Sequence, residues 1–336
     1  METCSTFEHQ HAAHCESGVI SALLKHHGLE LSEPMVFGLS SALSFAYLPF
    51  LRFGNMPLIA YRMYPGHIIK KLPTLLGVEY FRKRYRYSDP QQAMDELDGF
   101  IENGHVAGIQ TSAYFTPYFP PEMRFQFNAH NAIVIGKQNG QYLISDPVFE
   151  KIQRIAIQDL RKARFARGLM APKGLVHFPL QVPSSVELEP LIRKSIKKTV
   201  NMMLRAPLFI GLRGIKKLAG HILKLGRRSD KVHMRHFLGN IVRMQEEIGT
   251  GGGGFRFIYA AFLQEAYQVL GIPLLQKASL QMTDAGDAWR NFALACAKAV
   301  KRTDQEIDLP MIAQLLNHCG ALERELYLSL KTLKHH

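Results

Sequence analysis

An α+β fold followed by a mostly helical region is predicted by three observations. Helical patterns fill much of the first hundred residues, and short apolar runs suited to antiparallel strands follow between 105 and 157. Beyond a stretch rich in proline and serine, nearly every segment has helical periodicity. At 336 residues the chain is about twice the usual domain size, so two domains are expected, 1–180 and 181–336. A hydrophobic content of 47% and a charged fraction of 21% describe ordinary globular material with enough apolar residues for a core.

The first helices are expected near 15–27, 34–47 and 89–103, the last opened by Ser88-Asp89-Pro90, which suits an N-cap followed by proline in the first turn. Strands are expected at 105–111, 131–136 and 141–146. Asn139-Gly140 joins the last two and is a strong hairpin-turn signal. A fourth strand at 151–157 precedes a helix from Gln158 to about Gly168. FPLQVPSSVELEP, 178–190, reads as the linker, and helices then span about 190–225, 229–248, 254–271, 276–301 and 304–333.

Transmembrane and secreted classes find no support. The most apolar stretch, Leu39 to Tyr61, is broken by Pro49, Arg52, Gly54, Asn55 and Pro57. Its apolar residues, from Val36 to Tyr64, suit a core better than a lipid tunnel. The opening METCSTFEHQHAAHC lacks the basic-then-apolar plan of a secretory signal. Four cysteines (Cys4, Cys15, Cys296, Cys319) make no disulfide framework, so free thiols in a reducing cytoplasm are expected.

Cys15 follows His14 at the start of HCESGVISALLKHHG, where a helix begins. A thiol at a helix N-terminus feels unpaired amides and the positive end of the macrodipole, and both favour the thiolate. A cysteine nucleophile needs a base, and the base an orienting partner. His130 opens the NAIVIG strand, and Asp146 closes the strand expected beside it across the hairpin. Helix-borne Cys, strand-borne His and a downstream Asp is the order used by papain-like folds. Each residue also has a plain structural reading: a cysteine as small buried hydrophobe, a histidine as strand-end residue, an Asp-Pro as turn.

HCESGVISALLKHHGLELSEPMVFGLSSALSFAY resembles the start of the butirosin biosynthesis protein H N-terminal family. The shared features are a His-Cys pair opening a helix, a Gly ending it, Ser-Glu-Pro, and a Phe-Gly-Leu segment. AHNAIVIG and YLISDP match the family's later His and Asp positions, and IGTGGGGFRFIYAAFLQEA resembles the helical domain that commonly follows. The resemblance implies a papain-like N-terminal domain. It also implies an acyltransferase that draws on the phosphopantetheine thioester of an acyl carrier protein. Cys15 would be the nucleophile, His130 the general base and acid, and Asp146 its orienter. Peptidases of this type place a Gln upstream of the Cys to donate to the oxyanion, which makes Gln10 a candidate; the backbone amides of Cys15 and Glu16 are the alternative. No bound cofactor is implied, because the phosphopantetheine arrives on the carrier. The acceptor would be an amine or hydroxyl on a small molecule or lipid. A thioesterase or peptidase would use the same residues, and a non-catalytic carrier- or membrane-binding protein remains the reading from another class.

The net charge of +13 is uneven: residues 180–243 hold fourteen Lys/Arg against three Asp/Glu. The basic segment, 190–243, suits an acidic carrier protein, a solvated helical face, or an anionic membrane surface. Within it, 193–228 interleaves basic and apolar residues as interfacial helices do, compatible with a peripheral place at the inner membrane face. Nucleic-acid binding finds no motif beside the charge. GTGGGGFR, 249–256, lacks the Gly-Lys-Ser/Thr ending of a nucleotide loop. As a helix start beside Arg256 it offers Gly251, Gly252 and Arg256 as an anion or phosphopantetheine contact, against close backbone packing as the competing reading. His9, His11, His14 and Cys15 lack the second ligand pair that a zinc site usually recruits, so no metal is expected.

Overall fold

The computed structural model describes residues 3, 4, 6–53, 55–228, 230–302 and 306–333. Two compact units divide the chain: Met1–Val36 with Pro65–Val186, and Phe37–Tyr64 with Glu187–His336. The fold class is α+β.

The first unit is built on a seven-stranded sheet. Its strands are β1 (Thr3–Cys4), β4 (Glu79–Lys83), β5 (Ala107–Thr111), β6 (His130–Gln138), β7 (Gln141–Ser145), β8 (Gln153–Ala156) and β9 (Val176–Gln181). They run in the order β4-β9-β5-β6-β7-β8, with β1 on β6 and every pairing antiparallel. Period-two alternation on β6 sends Ala132 and Val134 to one face and Ile133 and Ile135 to the other. The first face packs against Ala93, Met94, Leu97 and Ile101 of helix α4 (Pro90–Glu102). The second packs against Val19, Ala22 and Leu23 of helix α1 (Cys15–His26). Two short helices, α3 (His67–Leu76) and α5 (Ile157–Arg164), also belong to this unit.

The second unit holds a two-stranded sheet, β2 (Leu43–Phe53) with β3 (Met56–Arg62). Its helices are α6 (Leu188–Arg205), α7 (Gly211–Arg228), α8 (Lys231–Val242), α9 (Arg256–Leu270), α10 (Pro273–Lys301) and α11 (Leu309–Leu330). Trp289 of α10 centres the core, with rings of Phe45, Tyr61 and Phe292 around it at centroid distances of 5.6, 5.5 and 5.9 Å. Among the described residues, no helix is long and apolar enough to cross a membrane.

Several boundaries differ from expectation. The helix expected over 34–47 ends early: α2 spans Glu33–Leu39 and the chain then extends into β2. Ser44, Phe45, Tyr47 and Phe50 supply aromatic and polar alternation suited to a strand partly covered by aromatic neighbours, which outweighs the helical spacing. That hairpin also replaces the single division expected at residue 180, because Phe45 and Tyr61 pack on Trp289. Leu43, Phe45, Tyr47, Ile59 and Tyr61 of the hairpin are buried, while Phe50 and Leu51 are exposed. The expected linker begins late, since Phe178 to Gln181 belong to β9. The helix expected over 190–225 is two helices, broken around Pro207, which cannot donate to the helical ladder.

Candidate active site

Cys15 is the first residue of α1, and His14 caps that helix: its Nδ1 accepts from Ser17 N. The turn entering the helix is held by Glu33, whose carboxylate accepts from the backbone N–H groups of Ala13 and His14 at 2.9 and 2.8 Å and from Ser17 Oγ at 3.0 Å. Burial pushes the Glu33 carboxyl up, against the pull of those three bonds. One turn into α1 lies Gly18. A Cβ built there would fall 2.5 Å from Ala12 Cβ and 3.1 Å from Pro147 Cβ, so only glycine lets the helix approach the segment that follows Asp146 this closely. Ala12 N donates to Pro147 O at 2.8 Å across the same contact.

His130 begins β6, and Asp146 directly follows β7. The antiparallel hairpin brings the two together: His130 Nε2 lies 2.7 Å from Asp146 Oδ2, both groups buried. The Cys15 side chain is the ring's other partner and, like Asp146, favours its protonated form. Burial alone would lower the His130 pKa. The Asp146 carboxylate and the Cys15 sulfur outweigh it, and the ring is pushed up to about 10. The raised value favours the protonated ring, which is the partner a thiolate at a helix N-terminus would need.

Asp146 is itself braced. Tyr118 Oη donates to Oδ2 at 2.9 Å and Val148 N donates to Oδ1 at 3.0 Å. Burial, reinforced by Asp146, raises the Tyr118 hydroxyl well above its ordinary value, so it stays protonated and donates. Phe119 meets the His130 ring edge-on at 5.0 Å and is itself packed on Phe149 at 5.1 Å in a tilted contact, which keeps water from the ion pair. His9 supports the strand end from the other side, with Nδ1 2.7 Å from Ser145 Oγ and Nε2 2.9 Å from Phe149 O.

Three of the sequence-expected residues thus converge: Cys15, His130 and Asp146. Gln10 stays a candidate donor beside them. It sits half-buried in the extended run before α1, with no hydrogen bond among the described residues. The Glu16 side chain turns away to cap α3, its Oε1 accepting from Ile68 N at 2.8 Å and Ile69 N at 3.3 Å, and only its backbone amide stays an oxyanion candidate. A residue not foreseen also stands at the sulfur. Asn131 Nδ2 lies 3.7 Å from Cys15 Sγ and donates to Ala129 O at 3.0 Å. Strand alternation would place it on the face opposite His130, so nothing in AHNAIVIG singled it out. Among the described residues no group of three or more His, Cys, Asp or Glu is placed to hold a metal.

The glycine loop departs from the expected anion contact. Arg256 is fully buried, its Nε donating to Glu323 Oε1 at 2.8 Å and its Nη1 to Gly254 O at 2.7 Å. Gly253 N faces both carboxylate oxygens of Glu246 at 3.2 Å, and Gly252 N donates to Thr250 Oγ1. The protein supplies its own anions to Arg256 and Gly253, and Arg256 belongs to the packing of the helical unit, while Gly251 is exposed at the turn. Four successive positive-φ glycines, Gly251 to Gly254, make that turn. Cys296 and Cys319 are buried in helices, and burial pushes the Cys296 thiol up to about 12. The Cys4 side chain lies outside the described residues.

A family model described as butirosin biosynthesis protein H, N-terminal, matches residues 14–147, and one described as a domain of unknown function (DUF4872) matches residues 158–330. The first part of the chain belongs to the butirosin biosynthesis protein H N-terminal family, the second to the DUF4872 family. All three converging residues lie inside the butirosin-family match. The chain is also similar to a crystal structure described as a C39-like peptidase from Bacillus anthracis. The TM-score is 0.38 at 13% identity, covering 55% of this chain and 100% of that one. No curated protein matches the chain at a significant level. Family membership and the site geometry together describe a papain-like cysteine enzyme of biosynthesis.

Proposed function

We propose that the protein is an acyltransferase that moves an acyl group from an acyl carrier protein thioester, through an acyl-Cys15 intermediate, to an amine or hydroxyl acceptor. The observation that carries this reading is His130 held between Asp146, at 2.7 Å, and the Cys15 sulfur at the head of α1. The butirosin family resemblance supports a carrier-bound donor.

The chemistry runs in two halves. The Cys15 thiolate attacks the thioester carbonyl, the donor C–S bond breaks, and the departing phosphopantetheine thiolate takes the proton from the His130 imidazolium. An incoming amine or hydroxyl then attacks the acyl-Cys15 carbonyl and gives its proton to His130, and Sγ leaves as thiolate, restoring the ion pair. Thioester and thiol exchange at little thermodynamic cost, so loading is reversible. The oxyanion of each half-reaction is met by the backbone amides of Cys15 and Glu16 and by the Asn131 side-chain amide. Asp146 fixes the ring orientation and stabilises its charge. Phosphopantetheine enters as part of the substrate, with no resident cofactor.

The test is intact-mass spectrometry after mixing the protein with acyl carrier proteins bearing different acyl groups. Acyl transfer predicts a mass gain on the wild type that Cys15→Ala abolishes and that an added amine or alcohol discharges into product. Discharge to free acid at the same rate without acceptor would make the protein a hydrolase on the same residues. No mass gain with any donor would remove the reading.

A further inference from the structure

The basic helices are not arranged as the interleaved sequence suggested. On α7 the apolar residues Ile215, Leu218, Ala219, Ile222 and Leu225 are buried in the helical unit, while Arg213, Lys216, Lys217 and Lys224 are exposed. The apolar face is thus committed to the core and is not available to enter a lipid interface.

A different apolar surface remains. The outer part of β2 joins the turn between α6 and α7: Tyr47 N donates to Phe209 O at 2.9 Å, and Ala46 bridges Ile210. At this corner Phe50 is 65% exposed, Leu51 48% and Leu208 58%. Phe50 meets the Phe209 ring edge-on at 5.4 Å, so the two segments present one continuous apolar surface. Lys217 Nζ lies 5.8 Å from the Phe209 ring centre, and Arg52, Arg205 and Arg213 are exposed on the elements that make the corner. Neither 37–64 nor 190–229 contains an Asp or Glu, while 190–229 alone carries eleven Lys/Arg.

We infer that this corner docks the protein on an anionic bilayer, with Phe50, Leu51 and Leu208 entering the headgroup–acyl boundary and the surrounding cations facing the lipid phosphates. The two halves of the patch favour this occupant. Segments this rich in cations and without Asp or Glu of their own attract any polyanion, but a nucleic-acid backbone gives protruding Phe and Leu side chains nothing apolar to enter. A bilayer interface accepts both, because burial of apolar area adds to attraction by anionic lipids. The acyl-transfer reading is not needed for this inference.

The test is flotation of the full chain with vesicles of phosphatidylcholine plus phosphatidylglycerol, against phosphatidylcholine alone. Binding is expected only to the anionic vesicles and is expected to weaken as salt rises. Neutralising Arg213 and Lys217 with Gln weakens it by roughly thirtyfold, at about fivefold per basic residue near an anionic surface. Phe50→Ser with Leu208→Ser weakens it tenfold or more even at low salt. The native chain has a single tryptophan, Trp289, which is fully buried, so Phe50→Trp adds a reporter whose emission shifts blue on anionic vesicles. No binding at low salt would overturn the inference, as would binding untouched by the Ser pair or an unshifted Phe50→Trp emission. So would an acidic carrier protein engaging the same residues while vesicles do not.

Discussion

Gly18 of α1 and Ala12, just before it, are pressed together closely enough that a methyl group has no room between them, and Pro147, which follows Asp146, closes the same contact. This contact sets how near the head of α1 comes to the hairpin carrying His130 and Asp146. Gly18→Ala must shift Ala12 and crowd the segment after Asp146, or push α1 away from both. A cost of about 1–3 kcal/mol is expected from overpacking. Chemical denaturation measures that cost. Iodoacetamide alkylation of Cys15 measures the second effect, and a variant as reactive as wild type would show that the contact does not position the sulfur.

Asn131 offers a second separation of roles. As an oxyanion donor its loss should slow acyl loading by roughly a hundredfold to a thousandfold. Alkylation needs no oxyanion, so Asn131→Ala should keep most of its reactivity toward iodoacetamide. Equal losses in both assays would assign Asn131 to positioning the thiolate instead.

Asp146→Asn keeps a side chain of the same shape but removes the charge that holds the His130 proton. Loading should fall by roughly a hundredfold or more, within the range of a lost general acid–base function. The imidazolium should also titrate at lower pH, which NMR of the ring measures directly. An unchanged ring titration would mean that Asp146 is not the source of the raised value.

The same shift has a consequence for stability. His130 titrates near 6.5 when unfolded and about 10 in the folded protein. The folded state therefore holds a proton that the unfolded chain releases between these values. The stabilisation is complete below pH 6.5 and is lost as pH rises through about 10. The thermal midpoint should fall across that window, and His130→Gln should flatten the fall. A variant with the wild-type slope would place the pH dependence elsewhere.

In the helical unit, Glu323 Oε1 accepts from both Arg256 Nε, at 2.8 Å, and Trp289 Nε1, at 2.6 Å, with all three residues fully buried. Glu323→Gln leaves the guanidinium without a counter-charge and should cost roughly 3–5 kcal/mol. Replacing both partners, Arg256→Met with Glu323→Leu, should cost much less. Urea unfolding of the two variants distinguishes them, and equal losses would show that the ion pair itself matters little.

Much of this protein could be read from local pattern. The His14-Cys15 helix start, the Asn139-Gly140 hairpin, and the strands around His130 and Asp146 all rest on short-range rules of capping, turn chemistry and alternation. Those rules need only neighbours in sequence. They were enough to name Cys15, His130 and Asp146 as a group and to assign the α+β class. Family resemblance added the acyl-carrier chemistry that no spacing could supply.

What escaped depends on partners distant in the chain. Residues 34–47 have helical spacing, yet Phe45 and Tyr61 pack around Trp289, which lies more than two hundred residues away, and that burial draws the segment into a hairpin. Arg256 looked like an anion contact until Glu323 appeared beside it. The apolar face of α7 looked free until the core covered it. Asn131 was silent because alternation tells which face a residue takes but not what waits there. The sequence by itself determined the elements and the chemical inventory. Tertiary packing decided which charges are already neutralised, which apolar faces are spent, and which amide lies beside the sulfur, since desolvation and contact exist only once distant segments meet.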